Sequence, residues 1–204
     1  MCGEARWVSG RRSGGRVGLA VRSLTTALIL STAVPAGAQV EVGDTDGIQI
    51  FGEADYDWTL RPLVGSELEL ETFRGEVLFI NLWASWCTPC IREMGSIERL
   101  RHRLADTDIR FLIVAAEGDR PVRRHLRRYS YDLPIYLEID GLPTSFGLRG
   151  LPTSWVVDRQ GRIVLLQYGE AVWDTDEVEE FLRSLAQPGS GEGRAVDRPP
   201  PERC

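Results

Sequence analysis

The spacing of apolar residues changes several times along the chain, and each change marks an element. Val77-Leu78-Phe79-Ile80-Asn81-Leu82-Trp83 is a nearly continuous apolar run, the mark of a strand buried on both faces. It is followed by Ile91, Met94, Ile97, Leu100 and Leu104 at helical spacing, so an amphipathic helix is predicted to begin near Cys87. Arg110 to Ala115 reads as a second buried strand, and Pro121 to Tyr131 as a helix with Val122, Leu126 and Tyr129 turned inward. Ile135 to Ile139 is a short strand. Trp155 to Val157 and Ile163 to Gln167 form a hairpin around Arg159-Gln160-Gly161, and Val178, Phe181, Leu182 and Leu185 mark a closing helix. Ahead of these, Asp57-Trp58-Thr59-Leu60 and Glu67-Leu68-Glu69-Leu70 flank a turn at Pro62 and Gly65, an N-terminal β-hairpin extension. Strands alternating with helices, closed by a hairpin and a helix, predict an α/β fold with a central mixed sheet flanked by helices. Gly-Leu-Pro-Thr-Ser occurs at 141–145 and again at 150–154, too short a repeat for a solenoid unit.

The two ends of the chain read differently. Arg11, Arg12, Arg16 and Arg22 precede an apolar run from Leu24 to Val34, and Ala36-Gly37-Ala38 follows. That is the order of a secretory signal peptide, so residues 1–38 are expected to be cleaved after Ala38 and the protein exported to the periplasm or beyond. An uncleaved anchor is the alternative, although the run is short for a bilayer span of about 20 residues. Residues 39–55 read as a linker or edge strand, 56–187 as one domain, and the Pro/Gly-rich 188–204 as a disordered tail.

Composition narrows the chemistry. Every one of the basic residues other than histidine is arginine, which excludes a Schiff-base lysine, a P-loop lysine and a lysine general base. The formal net charge is −6, and losing residues 1–38 would remove five arginines and one glutamate, shifting it to −10. An acidic chain argues against nucleic acid as a partner. Of four cysteines, Cys2 and Cys204 lie near the ends, while Cys87 and Cys90 are three apart.

In Trp86-Cys87-Thr88-Pro89-Cys90 a buried strand hands over to a helix. Unpaired N–H groups and about half a positive charge at the helix start favour a thiolate, drawing the first cysteine from ~8.5 toward ~7 or below. Cys87 is then the attacking nucleophile, and Cys90, one turn on, resolves the mixed disulfide that forms. An inert structural disulfide or half of a zinc site are the other readings. Zinc needs about four ligands, and His102, His125 and Cys204 stand at no recognisable spacing from the pair, so no metal is expected.

Trp-Cys-x-x-Cys after an apolar strand, with Leu148-Arg-Gly-Leu-Pro-Thr-Ser-Trp-Val-Val-Asp158-x-x-Gly161 downstream, resembles the thioredoxin superfamily. More narrowly, it is similar to the exported TlpA/ResA/CcmG branch of thiol-disulfide oxidoreductases, over about residues 56–187, and a thioredoxin-like fold is the expectation. The resemblance implies that Pro152 is a cis-proline opposite the dithiol and that the backbone of Leu151 pairs with an extended substrate segment. Trp86 corresponds to the tryptophan at the active-site surface. Glu93 corresponds to an acid that perturbs or relays protons to the buried thiol, where a helix carboxylate would otherwise simply be solvated. The branch usually carries a proline where this chain has Gly95, and the lysine that accompanies the buried acid in many thioredoxins is missing.

The expected activity is that of a thiol-disulfide oxidoreductase reducing protein disulfides, with apocytochrome c cysteines as one substrate class and a membrane thiol donor for re-reduction. No cofactor beyond the redox-active Cys87–Cys90 disulfide and no partner copy are expected. A disulfide-donating oxidant and a thioredoxin-fold binding module with a structural disulfide remain as alternatives. Arg123, Arg124, Arg127 and Arg128 around His125 read as a solvated helix face or as a dock for an acidic partner, and both histidines as surface residues.

Overall fold

The computed structural model describes residues 38–39 and 49–187. The expected signal segment up to residue 37, the tail 188–204, and with them Cys2 and Cys204, lie outside the described residues. Among the described residues ten strands and three α-helices follow one another: β1 (Ala38–Gln39), β2 (Gly52–Glu53), β3 (Thr59–Pro62), β4 (Leu68–Glu69), β5 (Leu78–Trp83), α1 (Thr88–Arg103), β6 (Arg110–Ala115), α2 (Asp119–Leu126), β7 (Ile135–Glu138), β8 (Thr153–Val157), β9 (Arg162–Tyr168), β10 (Ala171–Val172) and α3 (Asp176–Ala186). Eight strands form one mixed sheet in the order β2-β9-β8-β5-β6-β7-β3-β4, and β1 pairs in parallel with β10. The central strands β5, β6 and β7 run parallel, while β8 and β9 add antiparallel on the other side of β5.

The period of two in β5 explains why its apolar run is unbroken. Val77, Phe79 and Trp83 join one core with Met94, Ile97 and Leu100 of α1 and Val178, Phe181 and Leu182 of α3. Leu78, Ile80 and Leu82 face a second core, capped by Trp58, Leu60, Leu70 and Phe146. Both faces of the strand are therefore dry, as its composition requires. The early hairpin is part of this packing. β3 pairs with β4 and also with β7, so the N-terminal extension closes the sheet edge while Tyr56 and Trp58 cover its second face.

One helix departs from expectation. α2 ends at Leu126, not at Tyr131, and its buried residues are Val122 and His125, with Leu126 only half-buried and Tyr129 exposed. The imidazole of His125 takes the inward place that periodicity gave to Tyr129. It packs edge-on to Trp83, with ring centroids 5.5 Å apart, and stacks with Tyr129 and Tyr131. Burial lowers the pKa of His125, the Glu117 charge opposing, so the ring serves as a neutral aromatic surface. The expected surface position of His125 is thus corrected, while His102 is exposed and paired with Asp132.

α3 starts at Thr175, whose side chain accepts the Val178 N–H at 3.3 Å, with Asp176, Glu177 and Glu179 in the first turn. Thr175→Ala is expected to lower stability by about 1 kcal/mol in urea denaturation, because it orphans one donor at the positive end of the helix. A loss below about 0.3 kcal/mol would show that water replaces the cap without cost.

Candidate active site at the start of helix α1

β5 ends at Trp83, and the chain turns into α1 within four residues. Cys87 donates its backbone N–H to the Ala84 carbonyl at 3.0 Å and caps the helix, its Sγ accepting the Cys90 N–H at 3.3 Å. Pro89 occupies the first turn, where an N–H would lack a partner anyway. Cys87 and Cys90 are joined as a disulfide with Cα atoms 5.3 Å apart. Only one of the two sulfur residues reaches the surface: Cys87 is 5% exposed and Cys90 0%, beside a Trp86 that is 70% exposed. The other aromatic side chains of this stretch are buried, so Trp86 stands out as an apolar shoulder next to the accessible cysteine.

Behind Cys90 lies a closed polar cluster. Glu93, one helical turn further on, is 2% exposed and accepts three hydrogen bonds. They come from Asn81 Nδ2 at 2.8 Å, the Ala171 backbone N–H at 3.1 Å and Trp173 Nε1 at 3.2 Å. Burial nonetheless outweighs these donors and raises its pKa to about 7. Glu93 is not a solvated helix carboxylate. Among the described residues the one charge acting on it is Glu170, which raises the value further, and no cation compensates. The missing lysine is therefore felt here: hydrogen bonds alone hold the carboxylate, and α1 runs unbroken through Gly95.

Sequence reasoning left Asn81, Ser96, Ser154 and Trp173 without roles. Asn81 falls in register with Phe79 and Trp83, on the α1 face of β5, and lies opposite Ser154 of β8, whose Oγ accepts its second N–H at 2.8 Å. Ser96 donates to the Glu93 carbonyl and accepts from the Trp173 backbone N–H. A single amide within an otherwise apolar buried strand was the available signal, since such a group requires partners. Glu117 was missed too. Its carboxylate accepts the Ser85 N–H and so ties the loop after β6 to the turn before the dithiol.

The Leu151–Pro152 peptide bond is cis. The ladder that pairs Leu82 with Thr153 places Pro152 level with the end of β5 that leads to Cys87. Pro152 is buried and its carbonyl accepts the Gly169 N–H at 2.9 Å. Leu151 precedes the ladders, which begin at Thr153, and its side chain packs against both cores.

A cysteine pair at the head of the helix that follows a central strand of a mixed sheet, with a cis-proline level with the same end of that strand, defines a thioredoxin-like class. Residues 55–184 match the Redoxin family, and the chain belongs to it. It is 26% identical over 137 residues to the thiol-disulfide oxidoreductase ResA of Bacillus thuringiensis subsp. konkukian, covering 66% of this chain and 78% of that one. To the thiol-disulfide oxidoreductase ResA of Halalkalibacterium halodurans it is 32% identical over 137 residues, covering 66% and 76%. Its fold is similar to a structure described as the thiol:disulfide interchange protein DsbE of Chlorobium tepidum, with TM-score 0.59 at 20% identity, covering 69% of this chain and 100% of that one. The protein is a ResA-like thiol-disulfide oxidoreductase with a thioredoxin-like fold, as the resemblance implied. Among the described residues no helix is long and apolar enough to cross a membrane, and no cluster of potential metal ligands occurs.

Proposed function

We propose that the chain is an exported reductase of protein disulfides in which Cys87 attacks and Cys90 resolves. The observation that carries this reading is the asymmetry of the pair, with Cys87 at a helix start keeping some accessible surface and Cys90 fully buried one turn before a carboxyl group whose pKa is raised to about 7. The Cys87 thiolate attacks one sulfur of a substrate disulfide, giving a mixed disulfide and a substrate thiolate that takes a proton from solvent. Glu93 withdraws the proton of Cys90. The Cys90 thiolate then attacks Cys87 Sγ, which closes the Cys87–Cys90 bond and expels the second substrate thiolate. Two electrons pass to the substrate, and a membrane thiol donor restores the dithiol. Trp86 supplies apolar contact, and the Leu151 backbone supports an extended substrate segment beside Pro152. The redox-active disulfide is the only cofactor required, and the chain acts as a monomer.

Export belongs to the same proposal, on the grounds of the basic and apolar order of residues 11–38. Apocytochrome c cysteines are the substrate class that the resemblance to the TlpA/ResA/CcmG branch suggests. Equilibration with glutathione is expected to return a reduction potential near the ~−270 mV of thioredoxin. A potential near ~−120 mV would instead assign a disulfide donor.

A further inference from the structure

Among the described residues most arginines are engaged. Arg74, Arg92, Arg99, Arg101, Arg103, Arg110, Arg159, Arg162 and Arg183 each meet a carboxylate. On α2, Arg123 is held by Asp119 at 2.7 Å and by the Leu63 carbonyl at 2.6 Å. Its neighbours differ. Arg120, Arg124, Arg127 and Arg128 are exposed and form no ion pair among the described residues. Two of them, Arg124 and Arg128, line a groove of about 270 Å³ together with Ser85, Ile91 and the exposed Tyr129. Ser85 lies two residues before Cys87 and Ile91 directly after Cys90, so the groove opens within about 7 Å of chain from the dithiol. No carboxylate lines the groove, and the nearby Glu117 is engaged in accepting the Ser85 N–H.

We infer that this groove is a docking subsite for acidic side chains close to the target cysteine of a protein substrate. The inference rests on the reductase reading and specifies which disulfides are reduced fastest. Guanidinium groups are permanently charged and present forked donors that match carboxylates. On a chain of net charge −6, a cluster of unpaired cations beside the reactive bond is the local exception, and it sets partner choice where general charge does not. The concave wall and the aromatic edge suit a polypeptide segment better than a flat anionic surface. Substrate cysteines flanked by Asp or Glu would be held with their disulfide over Cys87, between Trp86 and the Leu151 backbone.

The test uses peptides with one internal disulfide that differ only in three residues beside a cysteine, Glu, Gln or Arg. The reduced protein is expected to favour the Glu over the Gln peptide by about five- to tenfold in second-order rate constant, an advantage that shrinks with added salt. In Arg124→Gln/Arg128→Gln the ratio falls to about one, and in Arg124→Glu/Arg128→Glu the Arg peptide becomes the better substrate. Arg61→Gln, on β3 and away from the groove, keeps the wild-type ratio. Equal rates for the Glu and Gln peptides in the wild type, or a preference that survives both double variants, overturn the docking site. So does a ratio of one combined with Arg124- and Arg128-dependent sedimentation on phosphatidylglycerol vesicles, which would assign the patch to a membrane surface. Equilibrium binding of the same peptides with serine for cysteine is read in parallel. Failure to reduce hydroxyethyl disulfide, a small uncharged substrate, together with a retained Glu preference in binding, would overturn the reductase reading and support the groove.

Discussion

Cys87→Ser is expected to lower disulfide reduction by about three orders of magnitude or more, whereas Cys90→Ser should stall it at a mixed disulfide. The asymmetry follows from position. Cys87 is the N-cap of α1, where the unpaired N–H groups of the first turn stabilise a thiolate, and it alone of the pair has accessible surface. A serine hydroxyl there is not ionised at neutral pH, so no nucleophile remains within reach of a substrate. Cys90 has no path to a bulky disulfide, but its sulfur is bonded to Cys87 Sγ in the structure and needs no movement of α1 to resolve an adduct. Insulin reduction with the reduced proteins, and mass spectrometry of covalent adducts after mixing with substrate, separate the two cases. Adducts that accumulate on Cys87→Ser in place of Cys90→Ser would reverse the assigned roles.

The second large effect concerns Glu93 and pH. Its pKa is about 7 in the fold against an ordinary 4.5, so the folded state holds a proton that the unfolded chain releases. Between those values the native state binds more protons, and stability must fall as pH rises. The full cost of about 3 kcal/mol is reached above pH 7 and is absent below about pH 4.5. His125 contributes with the opposite sign. Its lowered pKa stabilises the fold above pH 6.5 and is lost as pH falls. Subtracting the curve of Glu93→Gln from that of the wild type removes the histidine, since both proteins carry it. Urea denaturation of the oxidised proteins from pH 5 to 8 should therefore show a difference that grows with pH, with the variant gaining on the wild type by about 3 kcal/mol. Parallel curves would mean that Glu93 titrates at its ordinary value. The same variant should lose the inflection near pH 7 in the resolving step, a change that a purely structural carboxylate would not produce.

Legibility in the sequence followed the physics of each element. The strand β5, the helix α1, the β8–β9 hairpin and the closing helix α3 were all readable, because two faces of one strand or one face of one helix had to be apolar. The N-terminal hairpin was readable from its turn residues, but not its second pairing with β7, which joins segments more than 70 residues apart and leaves no local trace. α2 was misread because one inward position is a histidine, and periodicity counts apolar residues only. The dithiol announced itself through spacing. Its polar backing did not, because Asn81, Ser154 and the Ala171–Trp173 stretch come from three separate segments and are united by the sheet and the packing of α1 against it.

Leu151 is wedged between the two cores, so the peptide at which a substrate strand would align is already ordered before anything binds. The entropy of that encounter then falls on the incoming chain alone, at about 1–2 kcal/mol for each residue it must straighten. An unfolded polypeptide would offset this only through a short run of backbone hydrogen bonds, the Trp86 surface and, where it is acidic, the guanidinium groups of Arg124 and Arg128. On the proposed mechanism its hold would be weak without the covalent bond to Cys87, and once Cys90 broke that bond the product would regain its freedom and leave. Tight binding would have made a trap; a rigid rail with a loosely held client makes a catalyst that turns over.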